Sequence, residues 1–277
     1  MARWVTETVQ GGLAAAGTLR RCVLCERRCR ADRSVRAAGF CRASAEARVF
    51  RHRVEWGEEL ELVPSHLFYL AGCNLRCVFC IGGQDAWNAR RGTPLTAEFF
   101  RRAVEWGRGQ GARNVQWVGG EPSIHAPAIL EAMSGCERLP PIVWKSNFYH
   151  TGEVFQLLDG VVDVYVADFK FGNDRCARQL AEADRYMAVL TRNLLAAFDR
   201  ADLIVRHLLL PGHWECCFLP IIGWLRRNLP EARLSILEGY LPSWQARSHD
   251  GLERPLPRHV GAQARAMALD YGLRVIR

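Results

Sequence analysis

The sequence predicts an α/β fold in which six β/α units form a parallel sheet, curved into an incomplete (β/α)6 barrel. From about residue 60 onward, short apolar runs alternate with amphipathic segments, the pattern of a parallel sheet with right-handed crossovers. Polar or cysteine-rich motifs directly follow five of the six apolar runs. Because ligands collect at the carboxyl ends of parallel strands, we expect these motifs to form one site.

Six apolar runs are the predicted strands: residues 66–71, 114–118, 141–145, 162–168, 203–209 and 233–237. The predicted helices are amphipathic segments at residues 96–108, 126–134, 152–158, 176–183, 185–199, 215–228 and 259–271. In the first helix, Thr96 is the predicted N-cap, because its hydroxyl can accept a hydrogen bond from a free backbone N–H of the first turn.

Composition restricts the class of protein. The chain has 277 residues, of which 49% are hydrophobic, and its net charge is +8. Arginine is spread along the whole chain without a concentrated run, so we read the charge as solvated surface rather than a nucleic-acid footprint. No run of 18 apolar residues and no apolar segment after Met1 is present, and the 11 cysteines do not suit a disulfide framework. We therefore expect a soluble, reduced, cytoplasmic protein that does not bind membranes.

Cys73, Cys77 and Cys80 form a C-x3-C-x2-C cluster after the first predicted strand. Three thiolates at this spacing can hold three irons of a [4Fe-4S] cube, which ordinarily takes four cysteines. The fourth iron would then be open to another ligand. The alternatives are a zinc site or three buried thiols.

Four further strand ends carry candidate ligands, and at the fifth strand these are Arg206-His207 and Pro211-Gly212-His213. Gly119-Gly120-Glu121 follows the second strand, where glycines allow a ligand to approach the backbone closely, although the segment also suits an ordinary turn. Lys145-Ser146-Asn147 follows the third strand. Asp168 and Lys170 lie on the same side of the fourth strand's end, where they could position charged groups of a ligand or pair with each other.

The amino-terminal part carries a second cysteine set, Cys22, Cys25, Cys29 and Cys41. Four thiolates suit either a zinc site or a fully ligated auxiliary [4Fe-4S] cluster. The segment has few large apolar residues, so a metal would replace a core. We expect a metal-binding region at residues 1–60 and a core domain at residues 61–277.

The remaining cysteines lack a convincing ligand spacing, and we expect them to be small buried residues: Cys136, Cys176, Cys216 and Cys217. An adjacent pair such as Cys216 and Cys217 does not easily bind one metal ion. His207 and His213 have no evident partner in the sequence, so we expect structural roles for them.

The motifs together resemble the radical S-adenosylmethionine (SAM) enzymes, and most closely the PflX group related to pyruvate formate-lyase activating enzyme. The resemblance covers nearly the whole chain and is carried by the amino-terminal cysteines, residues 57–59, 72–80, 145–149, 168–170, Arg206-His207 and Tyr240-Leu241-Pro242. It implies the radical SAM type of partial barrel, with SAM bound to the open iron. Reduction would then split SAM into methionine and a 5′-deoxyadenosyl radical.

The resemblance also implies roles in SAM binding. The Gly119-Gly120-Glu121 segment would receive the methionine amino group, Phe79 would lie near the adenine, and Arg206 would contact the carboxylate or ribose. Phe79 could instead be a core residue. In the activases an acidic residue at position 145 helps to hold a cation. Here Lys145 replaces it, and we predict a Lys145–Asp168 pair beside the SAM carboxylate.

The expected activity is hydrogen abstraction from a protein or peptide, plausibly from a glycine of a partner enzyme, with an electron donor such as flavodoxin or ferredoxin. The alternative is radical modification of a small molecule or ribosomal peptide. A non-catalytic, four-cysteine nucleic-acid-binding protein is a third hypothesis, but it leaves the motifs at the strand ends unexplained.

Overall fold

The computed structural model of the chain describes residues 3–4, 18–57 and 59–276. Its centre is a nine-stranded sheet in the order β11-β10-β9-β8-β7-β5-β3-β2-β4. Neighbours from β3 to β11 are parallel, whereas β2 is antiparallel to both β3 and β4. Among the described strands, β11 and β4 are the two edges of the sheet and do not pair with each other, so the predicted α/β fold with an open, partial barrel is confirmed.

The described strands are β1 (Arg3–Trp4), β2 (Arg48–Glu55), β3 (Ser65–Leu70), β4 (Thr93–Pro94), β5 (Asn114–Gly119), β6 (Arg138–Leu139), β7 (Ile142–Ser146), β8 (Val164–Asp168), β9 (Asp202–Leu208), β10 (Arg233–Leu237) and β11 (Arg274–Ile276). All six predicted strands are present, as β3, β5, β7, β8, β9 and β10, with ends that differ by at most two residues. The short strands β1 and β6 pair apart from the main sheet.

The described α-helices are α1 (Gly83–Trp87), α2 (Ala97–Gly109), α3 (Ala126–Ser134), α4 (Gly152–Leu157), α5 (Asp174–Ala181), α6 (Tyr186–Phe198), α7 (Leu219–Asn228) and α8 (Arg258–Asp270). Thr96 caps α2 as predicted, since its Oγ1 accepts a hydrogen bond from the Phe99 N–H at 3.1 Å. A π-helical turn, Trp214–Phe218, precedes α7. None of the described helices is long and apolar enough to cross a membrane.

Strand β2 was not predicted from the sequence. It pairs with β3, so the chain before residue 60 contributes a strand to the main sheet. Only one of its eight residues, Val49, is buried, and three are arginines, which is why it does not read as an apolar run. The proposed division of the chain at residue 60 stays a prediction.

The sequence between residues 18 and 45 packs against the carboxyl end of the sheet. The Thr151 N–H donates to the Leu24 carbonyl at 3.0 Å, and the Glu26 N–H donates to the Tyr149 carbonyl at 3.3 Å. Arg27 Nε also donates to the Asn74 carbonyl at 2.9 Å. These contacts position the amino-terminal cysteines beside the loops that follow β3 and β7.

Candidate active site

Loops at the carboxyl ends of the parallel strands surround one cavity of about 790 Å³. Its lining includes all the residues predicted for the main site except one: Cys73, Cys77, Phe79, Cys80, Gly119, Gly120, Glu121, Lys145, Asn147, Asp168, Lys170 and Arg206. Ser146 is the exception, because it is buried behind the cavity wall. The rule that ligand-binding groups gather at the carboxyl ends of parallel strands therefore predicted correctly that these residues share one cavity.

The cysteine loop is held by the backbone of helix α5. The Val78 N–H donates to the Leu180 carbonyl at 2.9 Å, and the Arg76 N–H donates to the Ala181 carbonyl at 3.1 Å. Cys73 and Cys77 are buried, whereas Cys80 is half-buried. Among the described residues, these three are the cysteines that line the cavity.

Burial makes these thiols difficult to ionise without a positive partner. It raises the pKa of Cys73 well above its usual value, and it raises the pKa of Cys77 to about 12, although Lys170 acts in the opposite direction. Iron ions would supply the missing positive charge, because metal binding displaces the thiol proton.

The two glycines at the end of β5, Gly119 and Gly120, are required by close backbone contacts. Gly119 has a φ of +111°, and a Cβ there would lie 2.3 Å from the Leu70 nitrogen. A Cβ on Gly120 would lie 2.0 Å from the Gly72 carbonyl oxygen. The absence of side chains therefore lets the β5 loop pack directly on the loop that leads into Cys73.

The Glu121 side chain binds the neighbouring loop. Its carboxylate is fully buried and accepts hydrogen bonds from the Ser123 N–H at 2.9 Å, the Ser146 hydroxyl at 2.7 Å and the Asn147 N–H at 2.8 Å. Burial raises the pKa of Glu121, although these hydrogen bonds counteract the effect. Glu121 and Ser146 thus join the β5 and β7 loops behind the cavity, and Asn147 reaches the cysteine loop through Asn74 at 2.8 Å.

Asp168 is the centre of an ion-pair network on one wall. Its carboxylate lies 2.6 Å from Lys170 Nζ and 2.6 Å from Arg206 Nε. Burial opposes ionisation of Asp168, but Arg206 and Lys170 outweigh it and hold its pKa below the usual value. The pairing of Asp168 with Lys170 was one of the two alternatives that the sequence left open.

The predicted Lys145–Asp168 pair is wrong. Lys145 Nζ instead lies 2.8 Å from Glu59 Oε2, and both side chains are buried. The strand register explains the difference. Asp168 is directly opposite Arg206 across β8 and β9, whereas Lys145 is opposite Val166, two residues earlier on β8.

Residues 68–225 match the family described as the radical SAM superfamily. This stretch contains the three cavity cysteines and every other predicted cofactor residue. The chain belongs to the radical SAM superfamily. Membership implies a [4Fe-4S] cluster, SAM and an enzyme that cleaves SAM to form a radical. An uncharacterised protein of Methanocaldococcus jannaschii is 34% identical over 268 residues, which cover 95% of this chain and 78% of that protein.

Solved structures show the same fold. Streptococcus suis SuiB bound to S-adenosylmethionine superposes with a TM-score of 0.54 at 13% identity, covering 73% of this chain and 47% of SuiB. HydG, a maturase of the [FeFe]-hydrogenase, superposes with a TM-score of 0.52 at 15% identity, covering 73% of this chain and 49% of HydG. This radical SAM chain therefore spans about half the length of these structures.

The cavity fits the cofactors of a radical SAM enzyme. It offers three thiols and no fourth cysteine among its described lining, as a cluster with one open iron requires. Lys145, Lys170 and Arg206 also line it, and their cations can bind an anionic carboxylate.

Two acidic residues of the radical SAM cavity were missed in the sequence. Glu238 directly follows β10, so the strand-end rule applied to the first five strands would have identified it at the sixth. Glu59 lies in a segment that contributed to the family resemblance, but no pattern in the sequence indicated its partner. Its Oε1 also lies 3.9 Å from Arg206 Nη1.

The four amino-terminal cysteines are brought together. Burial is the main cause of a pKa of about 12 for Cys25, and the nearby thiols of Cys41, Cys22 and Cys29 contribute to it. The guanidinium of Arg33 is buried beside them, with Nη1 3.4 Å from Cys22 Sγ.

Of the four cysteines that we expect to be small buried residues, Cys136, Cys176 and Cys217 are buried and Cys216 is half-buried. Cys176, Cys216 and Cys217 gather around His213, with all ligand atoms within 4.8 Å of one another. The separate helices that carry them come together only in the folded chain. Cys136 is buried and lies outside this group. His207 is structural, since its Nδ1 lies 2.7 Å from the Phe169 carbonyl and its ring stacks on Phe218.

Proposed function

We propose that the chain binds SAM in this cavity and uses the resulting radical to abstract hydrogen from a polypeptide, with a glycine of a partner protein as the leading substrate. The observation that carries the proposal is the mouth of the cavity. Leu60, Ile81 and Leu241 line it and are 52%, 89% and 65% exposed. A polypeptide could cover these apolar side chains while one residue enters the cavity.

The cysteine loop would hold the cluster, and Cys80 forms its less buried side. When bound and reduced, the cluster supplies the electron that splits SAM into methionine and a 5′-deoxyadenosyl radical. Cys73 accepts weak hydrogen bonds from the Leu75 N–H at 3.4 Å and from Asn147 Nδ2 at 3.7 Å. Such donors stabilise thiolate charge and influence the reduction potential of a cluster.

The polar wall would bind the charged end of SAM. Asp168 fixes Arg206 through Nε, so the guanidinium is held at the cavity wall, where it can meet an anionic group. Lys170 is held by the same carboxylate, and burial alone would lower its pKa, but Asp168 raises it above the usual value. Lys170 therefore stays cationic. We also propose that the Lys145–Glu59 ion pair stands where the activases bind a metal cation.

Phe79 is an apolar part of the cavity lining and would contact the adenine. Phe79 is only 7% exposed and contacts Phe171 edge to face, with ring centroids 6.0 Å apart. Both roles left open for Phe79 are compatible with this position, since one face of the ring packs on the core and the side chain lines the cavity. The apolar ring would also exclude water from the radical.

The amino-terminal cysteines would hold an auxiliary [4Fe-4S] cluster. Arg27, in the same segment, contacts the Asn74 carbonyl of the loop that carries Cys73 and Cys77. A cluster at this position could pass electrons from flavodoxin or ferredoxin to the radical SAM site. A zinc ion on the same four thiolates is the alternative.

The second candidate is modification of a ribosomal peptide. It is favoured by the likeness to SuiB, one structure of which is described as bound to the precursor peptide SuiA. That likeness, at 12% identity and a TM-score of 0.52, shows the fold alone. Both candidates place a polypeptide at the cavity mouth, and they differ in whether the product is a stable glycyl radical or a modified peptide.

The test is deuterium transfer. Peptides with deuterium on the glycine α-carbon are incubated anaerobically with the reconstituted, reduced enzyme and SAM, beside the same peptides without label. Deuterium in 5′-deoxyadenosine, with a glycyl signal in electron paramagnetic resonance, would support the activase-like function. Formation of 5′-deoxyadenosine that contains no deuterium from the labelled peptides would contradict hydrogen abstraction from a peptide glycine.

A further inference from the structure

Four side chains behind the radical SAM cavity form a compact cluster. Cys176 lies in the first turn of α5, His213 follows the loop after β9, and Cys216 and Cys217 lie in the π-helical turn Trp214–Phe218. They come from two stretches separated by about forty residues in the chain. Among the described His, Cys, Asp and Glu residues, this is the group whose ligand atoms all lie within 4.8 Å of one another.

The spacing of these atoms is that of a tetrahedral metal site. Cys216 Sγ lies 3.8 Å from Cys176 Sγ and 3.9 Å from Cys217 Sγ. His213 Nδ1 lies 3.3 Å from Cys216 Sγ and 3.6 Å from Cys217 Sγ. In a tetrahedron with zinc–sulfur bonds of about 2.3 Å and a zinc–nitrogen bond of about 2.0 Å, sulfurs lie about 3.8 Å apart and sulfur lies about 3.5 Å from nitrogen.

The π-helical turn makes the adjacent cysteines usable as a pair. The Phe218 N–H bonds the His213 carbonyl five residues earlier at 3.1 Å, which is the π pattern. Because this wide turn rotates the chain less per residue than an α-helix does, consecutive side chains diverge less. Cys216 and Cys217 can therefore face the same point. The sequence-based objection to an adjacent pair assumed ordinary helical or extended backbone.

Neighbouring groups are arranged to stabilise thiolates here. Asn173 caps α5 by accepting the Cys176 N–H at 2.8 Å, and its Nδ2 lies 3.2 Å from Cys176 Sγ and 2.6 Å from the Cys216 carbonyl oxygen. Gly172 is also required, because a Cβ there would lie 2.5 Å from the Cys217 carbonyl oxygen. A fixed donor beside the sulfurs and close packing around them are features of an outer shell that orients metal ligands.

We propose that Cys176, His213, Cys216 and Cys217 bind one Zn²⁺ ion as a structural site, distinct from the radical SAM cluster and from the amino-terminal cysteines. Three thiolates and one imidazole are a preferred zinc ligand set. The spacing suits a single ion, since the thiolates of a four-iron cluster bind different irons and lie farther apart. The ion would join the π-helical turn to α5.

The proposed zinc site lies at one end of helix α5, and the other end of this helix contacts the cysteine loop of the cavity. Helix α5 begins at the Cys176 cluster, and its last turn accepts the hydrogen bonds of Arg76 and Val78 from the cysteine loop. The eight residues of α5 span about 12 Å. Zinc would therefore fix the amino end of the helix whose carboxyl end holds the radical SAM cysteine loop.

The experiment measures metal content of the anaerobically reconstituted full chain by mass spectrometry, for wild type, Cys216→Ser and His213→Gln. Cys136→Ser is the matched control, because Cys136 is a buried thiol outside the group. We expect wild type and the control to hold one more zinc per chain than Cys216→Ser and His213→Gln, with iron content the same in all four. Equal zinc in the control and in two folded site variants would overturn the proposal.

A second measurement on the wild type does not depend on the stability of the variants. The X-ray absorption spectrum of zinc is recorded for the wild type, and the spectrum of any zinc that Cys216→Ser retains is subtracted from it. The remaining spectrum should show three sulfur ligands and one nitrogen ligand around each zinc ion. A zinc shell of four sulfurs, or a disulfide between these cysteines in metal-free protein kept anaerobic, would overturn the proposal. SAM cleavage is measured separately, so its failure would be distinguishable from failure of the zinc site.

Discussion

Lys145 Nζ and Glu59 Oε2 lie 2.8 Å apart inside the protein, where a loop before β3 meets the end of β7. This pair replaces the Lys145–Asp168 pair expected from the motifs. It connects the wall of the cavity to a residue outside the parallel strands. Removal of either side chain would leave the other charge buried without its nearest partner. The loss should be measurable as a lower free energy of unfolding.

Substitution of Lys145 by Met should lower the free energy of unfolding by about 3 kcal/mol, because the buried Glu59 carboxylate loses its nearest cation and keeps the more distant Arg206. The double variant Lys145→Met/Glu59→Gln should recover part of the loss. Urea unfolding measures both. Arg178→Met is the control, since its pair with Asp184 is exposed on both sides and should contribute little. Equal effects of Lys145→Met and Arg178→Met would contradict the buried pair.

Asp168 should make stability depend on pH only in the acid range. Its pKa is lower in the folded protein than the usual value of about 3.9, so its contribution is present above about pH 4 and is lost as the pH falls toward the folded value. The stability difference between wild type and Asp168→Asn should be constant from about pH 5 to 8 and shrink below about pH 4. A difference that changes between pH 6 and 8 would show that another group is responsible.

Asp168→Asn should also weaken SAM binding, because Arg206 and Lys170 lose the carboxylate that positions them. We expect the Kd for SAM to rise at least about tenfold, which corresponds to about 1.4 kcal/mol. Binding measured by calorimetry on the reconstituted enzyme checks this. An unchanged SAM affinity would place the SAM carboxylate elsewhere in the cavity.

Gly120→Ala should separate the β5 loop from the cysteine loop, since the new Cβ would lie 2.0 Å from the Gly72 carbonyl oxygen. We expect a loss of about 1–3 kcal/mol of stability and a lower iron content after reconstitution. Gly109→Ala is the matched control, because a Cβ at that helical position meets nothing within 4 Å. It should be neutral or slightly stabilising. Full iron loading of Gly120→Ala would contradict the contact.

The iron content should separate the two amino-terminal alternatives. With an auxiliary cluster, the reconstituted chain holds about eight irons, and Cys22→Ser/Cys25→Ser lowers this to about four. With zinc at Cys22, Cys25, Cys29 and Cys41, both proteins hold about four irons and the variant loses one zinc. Iron and zinc analysis of the same samples distinguishes these outcomes.

The strand ends carried most of the information in the sequence. Apolar runs identified the six core strands, and the rule for ligand position at their carboxyl ends correctly assigned Cys73, Gly120, Lys145 and Asp168 to one cavity. What could not be predicted depends on distances between segments. The partner of Lys145 is set by strand register and by a loop, and neither leaves a periodic pattern.

The cluster around His213 shows the same limit more clearly. A short ligand spacing such as that of Cys73, Cys77 and Cys80 is visible in one segment, whereas Cys176 is forty residues from Cys216. The π-helical turn that orients Cys216 and Cys217 has no reliable sequence signature. Strand β2 was missed for a different reason, because its three arginines interrupt the apolar pattern of a strand in which only Val49 is fully buried.

The most direct test of the account is formation of 5′-deoxyadenosine from SAM by the anaerobically reconstituted and reduced full chain, with Cys77→Ala as the control. The account predicts that the wild type forms 5′-deoxyadenosine and methionine in equal amounts and that Cys77→Ala forms none above background. No 5′-deoxyadenosine from wild-type protein that contains its full complement of iron would contradict it.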